Sequence, residues 1–304
     1  MGDRLLDQFQ GALRGAALGH LLGANAQSRQ SPDWRQVDSW GFGLPAPQAL
    51  AMNLGKSILT LGESLIQQPR LAVDLSPAVL ADPSALAIAT LPLALYHHDH
   101  PNALRSQLSR LGAPAASLAV AQVFGTLLSR TLHPDMQPQT LISEAIAALD
   151  LTAQAPDLTT ALQQVHRLAH QERLAIARPA LAEEIPEDVL PLCTALYGFL
   201  STPEYPTLAM RRAARISASP LTSALAGSLC GARSGSSGLP AAWRMQAGES
   251  RSLASFWGVE ESALNALAAG LLASWAGVYL PNPEASKTPH PTWVVAAAGK
   301  LRPR

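Results

Sequence analysis

Charge is scarce in this chain: Asp, Glu, Lys and Arg make up 14% of its 304 residues, against ~25% in ordinary soluble domains. That shortfall points to an extensive buried helical interior, or to a surface that meets a partner or a membrane. The 22 basic and 22 acidic residues cancel, so no net field draws the protein to nucleic acid or to an anionic membrane surface. Cysteine is nearly absent. Cys193 and Cys230 stand in apolar helical contexts and form no CxxC, which excludes a disulfide scaffold and a zinc or thioredoxin-like motif and leaves two buried, reduced thiols. Alternating Val/Ile/Thr runs bounded by turns are missing, and so are a GxGxxG after a strand and a phosphate loop. GARSGSSG (231–238) is rich in glycine but follows a helix, not a strand. The start of the chain, MGDRLLDQFQ, carries acids and no apolar run, so it does not read as a secretory signal and the expected location is cytoplasmic. Ser262–Leu280 approaches the length of a membrane span. It is rich in Ala and Gly and includes Asn265, and it reads as a buried helix, with no membrane span expected.

What is present is helical periodicity from end to end. We expect one all-α domain over 1–304, with a proline-rich tail, 281–304, wrapping the surface. Residues 3–24 form one helix in which Gly11, Gly15, Gly19 and Gly23 recur every four residues. Four residues advance about 400°, so these glycines form a slowly drifting stripe on one face. Each costs ~1 kcal/mol relative to Ala in a soluble helix. Close approach of another backbone is a physical reason to tolerate that. Gly227, Gly231 and Gly235 form a second stripe of the same spacing, and the two helices are expected to meet there.

Residues 25–47, with Trp34 and Trp40, read as a packed loop that could wall a cleft. Helices are expected at 48–67, 83–97 (with a kink or late start at Pro92), 101–111, 114–131, 139–149, 157–174, 186–200, 204–216, 221–235 and 259–280. His97, His98, Asp99 and His100 resemble a metal site, but neighbouring residues point in different directions and do not converge on one ion. Solvated surface is the expectation there. His166 and His170 stand at i,i+4, yet HRLAH lacks the Glu of HExxH, so an exposed polar face is expected.

Four segments in order resemble the ADP-ribosylglycohydrolase family, of the dinitrogenase-reductase-activating glycohydrolase type. FQGALRGAALGHLLGANAQ (9–27) is similar to its opening helix and loop, and LGKSILTLGESLI (54–66) to its second motif helix. LAIATLPLALYHHDHPNAL (86–104) is similar to its internal helix with a central proline. SPLTSALAGSLCGARSGSSGLPAAW (219–243) is similar to its C-terminal signature. The resemblance implies a compact all-α fold and a cleft in which carboxylates from both ends of the chain hold two magnesium ions for removing ADP-ribose from modified proteins.

The residues at those positions depart from that pattern. The family's Gly-Asp is Gly19-His20, and its loop Glu falls on Gln27. Its Thr-Asp-Asp-Thr falls near Met52, Asn53, Leu54 and Gly55, and its Gly-Asp-x-Asp-Thr on Ser217, Ala218, Ser219, Pro220 and Leu221. An amide is a poor general base and a weaker ligand for a hard cation than a carboxylate. The resemblance therefore implies no catalytic residue and no magnesium or other cofactor. It points to a protein acting by binding, with Gln27, Asn53, Ser217 and Ser219 as hydrogen-bonding walls of a degenerate cleft. Its ligand would be ADP-ribose-like or a nucleotide, with a protein partner or self-association as the other form. Arg211, Arg212 and Arg215 could contact phosphate, a solvated helix face being the plainer reading. The alternative is an active hydrolase rebuilt from Asp38, Glu63, Asp74 or Asp82.

Overall fold

The structure, a computed structural model, describes residues 2–28, 49–67, 75–149, 155–169, 174–217, 219–241, 252–279 and 294–295. Among them the first eight α-helices are α1 (Gly2–Ser28), α2 (Ala49–Gln67), α3 (Pro77–Ala81), α4 (Pro83–Ala89), α5 (Leu91–Tyr96), α6 (Pro101–Leu108), α7 (Ala115–Thr131) and α8 (Leu141–Leu149). Then come α9 (Pro156–Ala169), α10 (Leu174–Glu184), α11 (Leu190–Ser201), α12 (Pro206–Ile216), α13 (Pro220–Ser234), α14 (Ser252–Trp257) and α15 (Glu261–Trp275). One ladder of two residues per strand, β1 (Val278–Tyr279) on β2 (Val294–Val295), pairs antiparallel in the register Val278 to Val295. The described architecture is thus all-α, as the helical period requires. The expected packed loop with Trp34 and Trp40 and, apart from β2, the tail 281–304 lie outside the described residues.

Prolines set where the helices begin. Pro77, Pro83, Pro92, Pro101, Pro191, Pro206 and Pro220 occupy the first or second position of their helices, where the missing N–H has no intrahelical partner to lose. This divides the segment expected as one helix over 83–97. Thr90 leaves the helical region at φ −88°, ψ 9°, and α4 and α5 meet there as separate helices. α1 runs longer than expected, so Asn25 and Gln27 belong to its last turns. The helix read as 259–280 stops at Trp275 and buries one face only, through Leu264, Leu267, Ala268, Gly270 and Leu271. No helix among the described residues is long and apolar enough to cross a membrane.

α1 is the axis of the molecule. From Gln8 to Asn25 all but Gln10 and Arg14 are buried, which is the signature of a central helix. Its glycine stripe packs along α13 in antiparallel fashion. A methyl group on Gly11 would meet the backbone of Gly231, on Gly15 that of Gly227, on Gly19 that of Ser223, and on Gly23 that of Pro220. The expected pairing of the two stripes is observed, and Ser223 and Pro220 carry it to the far end. Buried Gln8 ties off the other end by donating to the carbonyls of Ala232 (2.8 Å) and Leu132 (3.3 Å).

Candidate functional site

The C-terminal half of α1 is flanked on one side by the start of α13 and on another by α14. At the start of α13, Ser217 lies between helices in extended conformation. Its Oγ accepts the Ser219 N–H (3.2 Å) and the Thr222 hydroxyl (3.0 Å). Ser217 thus braces the turn into α13, whereas the side chain of Ser219, the N-cap residue, makes no cap bond. Both serines are half-buried, close to Pro220, which touches Gly23. Asn53 is half-buried on α2. It stands in the stretch of α2 that packs on Trp257–Val259, where Gly55 meets the Trp257 carbonyl and Met52 approaches Gly258. Gln27 is placed on the last turn of α1, its side chain lying outside what the structure describes.

His20 faces α14. It is 1% exposed and sits edge-on to the rings of Phe256 (5.2 Å) and Trp257 (6.0 Å). The Trp257 indole N–H donates to its Nδ1 at 2.9 Å. An indole nitrogen only donates, so Nδ1 must carry a lone pair and the ring is the neutral Nε2–H tautomer. Burial agrees, pushing the imidazole down from 6.5 to about 4. Nothing in the sequence around Phe256 or Trp257 announces this bond across the chain. The one local signal is Gly258, at φ +68°, which ends α14 in a conformation suited to glycine.

The glycine-rich turn after α13 has an occupant of its own. Asp7 accepts the Ser237 N–H (3.1 Å) and hydroxyl (2.7 Å) on its carboxylate, and its backbone carbonyl accepts the Ser236 N–H (2.9 Å). Gly235, at φ +74°, leaves no room for a Cβ beside that carboxylate. Arg14 then bonds the Ser236 hydroxyl and reaches Glu261 of α15 (2.7 Å). The Asp7 carboxylate and carbonyl thus tie the start of α1 to this turn.

The sequence model of the ADP-ribosylglycohydrolase family matches residues 46–277. The chain belongs to that family. A solved structure described as an ADP-ribosylglycohydrolase-related protein complex shares the fold, with a TM-score of 0.63 at 19% identity, over 89% of this chain and 98% of that one. No curated protein sequence matches significantly.

Membership raises the question of magnesium, which the resemblance ties to clustered carboxylates. Among the described residues no three His, Cys, Asp or Glu side chains come together to hold a metal. His20 presents a nitrogen already engaged by Trp257. Asp82, a candidate acid, caps α4 by accepting the N–H groups of Ser84 (2.8 Å) and Ala85 (3.0 Å). Glu63 is exposed on α2, and Asp38 and Asp74 lie outside the described residues. The donors described do not suit a pair of hard divalent ions, which need several anionic oxygens.

The histidine run differs from the solvated surface expected of it. His97 is 5% exposed and stacks edge-on to Tyr96, while His98 packs between Phe9 (5.6 Å) and Trp275 (4.9 Å). Only Asp99 and His100 face outward, 3.5 Å apart. His166 is half-buried, not exposed, beside Arg167 in an open surface cavity of about 780 Å³ between α8 and α9; His170 lies outside the described residues. The two thiols are buried as expected, and burial pushes Cys193 and Cys230 up to about 12.

Proposed function

We propose that this ADP-ribosylglycohydrolase-family protein acts by binding a ligand or a protein, without metal-dependent hydrolysis. The observation that carries the reading is the bond from Trp257 to His20. Where the resemblance sets an acid, the chain has a neutral, buried ring whose nitrogen serves to hold α14. Hydrolysis of an ADP-ribosyl bond by metal-activated water needs clustered anionic oxygens and a base, and the donor set described above suits neither. Gln27, Asn53, Ser217 and Ser219 offer hydrogen bonds without charge. Such groups fit the hydroxyl and amide edges of an ADP-ribose-like or nucleotide ligand better than a cation.

Two measurements test this. Purified protein should release no ADP-ribose from arginine- or serine-linked substrates, with or without magnesium. Its melting temperature should rise with ADP-ribose and not with magnesium alone. A ligand bound only by the native state adds ~2.7 kcal/mol at one hundred times its Kd. Hydrolysis abolished by a chelator would instead establish an active enzyme with a rebuilt site. Absence of both hydrolysis and an ADP-ribose shift would leave the protein-binding form of the proposal.

A further inference from the structure

α8 and α9 pack on each other, α8 resting also on α7 and α9 on α11. The faces they leave outward enclose the open cavity of about 780 Å³, a volume within the ~300–1,000 Å³ of small-molecule sites. Its floor is apolar: Ile142, buried, and Ile146, half-buried, both on α8. Exposed Ser143 and Ala147 form one rim, and exposed Thr160, Gln163 and Arg167 of α9 form the other. Each set recurs at three or four residues, so each shares one helix face. His166 completes the second rim and already interacts within the chain. Gln163 and Arg167 make no hydrogen bond or ion pair among the described residues. The hydroxyls of Ser143 and Thr160 donate to the carbonyls of Thr140 (2.9 Å) and Pro156 (3.0 Å), so the free donors at the rim are a guanidinium and an amide. No acid lines the cavity among the described residues. Glu144, between the two lining turns of α8, bonds the Thr140 hydroxyl (2.6 Å) and faces Arg130 (3.9 Å) instead.

A cationic fork at one end of an apolar floor, with no carboxylate beside it, suits an anion that carries an apolar body. We propose that the cavity between α8 and α9 binds a small aliphatic carboxylate. The planar guanidinium of Arg167 matches a carboxylate in bidentate fashion, the Gln163 amide supplies a further donor, and the aliphatic chain lies over Ile142 and Ile146. From Arg167 back to Thr160, α9 rises about 10 Å, which matches the extended length of octanoate. A single cation over an apolar floor favours such a monoanion over a phosphate ester, which clusters of Arg recognise. The rim is open to water, so the charge contributes modestly and burial of the chain contributes the larger part. This site lies apart from the cleft of the proposed function, whose candidate residues stand on α1, on α2 and at the start of α13.

Isothermal titration of the full chain with octanoate, below its micellar concentration, tests this. The wild type should bind it saturably. Butyrate should bind more weakly, since each methylene taken out of water tightens binding by up to about fourfold, and octanol should bind more weakly for want of the charge. Arg167→Gln should weaken octanoate binding by about fivefold, the upper range of an exposed ion pair, and Arg167→Lys should recover part of the loss. Ala147→Glu sets a carboxylate on the opposite rim and should weaken binding as well. Both positions are exposed, and melting curves like the wild type's show that lost binding is not lost fold. A wild type that does not bind octanoate, or binds octanol equally well, would overturn the site, as would variants that bind octanoate like the wild type. ADP-ribose titration of Arg167→Gln should match that of the wild type, which keeps this outcome separate from that of the cleft. An ADP-ribose affinity lost with Arg167 would overturn the inference by assigning the cavity to that ligand.

Discussion

Two faces of α1 are held by opposite means. Along the stripe, α1 and α13 touch through backbone, with no side chain between Gly15 and Gly227 or between Gly11 and Gly231. Around His20 the contact is made by large rings, with Phe256 and Trp257 buried to 1% and 0% exposure and one polar bond linking indole to imidazole. The first contact gains its strength from the absence of atoms and repeats every four residues. The second depends on one particular pair and repeats nowhere. A backbone seam fails when anything is added, and an aromatic clamp fails when anything is removed.

Three substitutions or titrations probe that contrast. The largest effect belongs to Trp257→Ala. It empties a fully buried indole site and strips His20 of its donor, and should lower unfolding free energy by about 3–5 kcal/mol in chemical denaturation. An effect below about 1 kcal/mol would mean that α14 merely rests on the surface of α1 and α2.

Acid should act on the clamp and spare the seam. The folded pKa of His20, about 4, lies below the ordinary 6.5. The unfolded chain therefore takes up a proton below pH 6.5 that the native state refuses. The stabilisation is fully present above about pH 6.5, is lost as pH falls toward about 4, and stays lost below that. The loss amounts to about 3 kcal/mol. His20→Gln keeps an acceptor for the indole N–H and does not titrate, so its pH–stability profile between those limits should be flatter than the wild type's by that amount. Parallel profiles would mean that His20 is not the source of the acid sensitivity.

The smallest effect compares two glycines. Ala is the better helix former by ~1 kcal/mol, yet Gly15→Ala should destabilise by about 1–3 kcal/mol because the added methyl meets the Gly227 backbone. Gly62→Ala meets only the end of the Leu267 side chain, which can turn away, so its cost should be under about 1 kcal/mol. Equal costs at the two sites would argue that the seam yields as a side chain does.

The seam could be read from the sequence because spacing alone encodes it. Small residues every four positions, repeated in two helices, suit close backbone packing and little else, and the helical period gave the all-α class for the same reason. The clamp could not be read, since His20 and Trp257 share no period and meet only once the intervening helices are in place. Local context misled at His97 and His98, where a polar run at a helix end suggested water. Phe9 and Trp275 come from distant segments to cover His98. The bond from the Thr222 hydroxyl to Ser217 was not legible either, because it depends on how the chain turns into α13.

The antiparallel seam also sets an order of events during synthesis. Gly11 and Gly231 touch across more than two hundred residues of chain. At ~5–20 residues per second, the helix destined for the centre emerges about 10–40 s before its partner exists. For that interval its glycine face has no backbone to lie against, and four glycines weaken it as an isolated helix. The close packing of the central helix can therefore form only after α13 has been made.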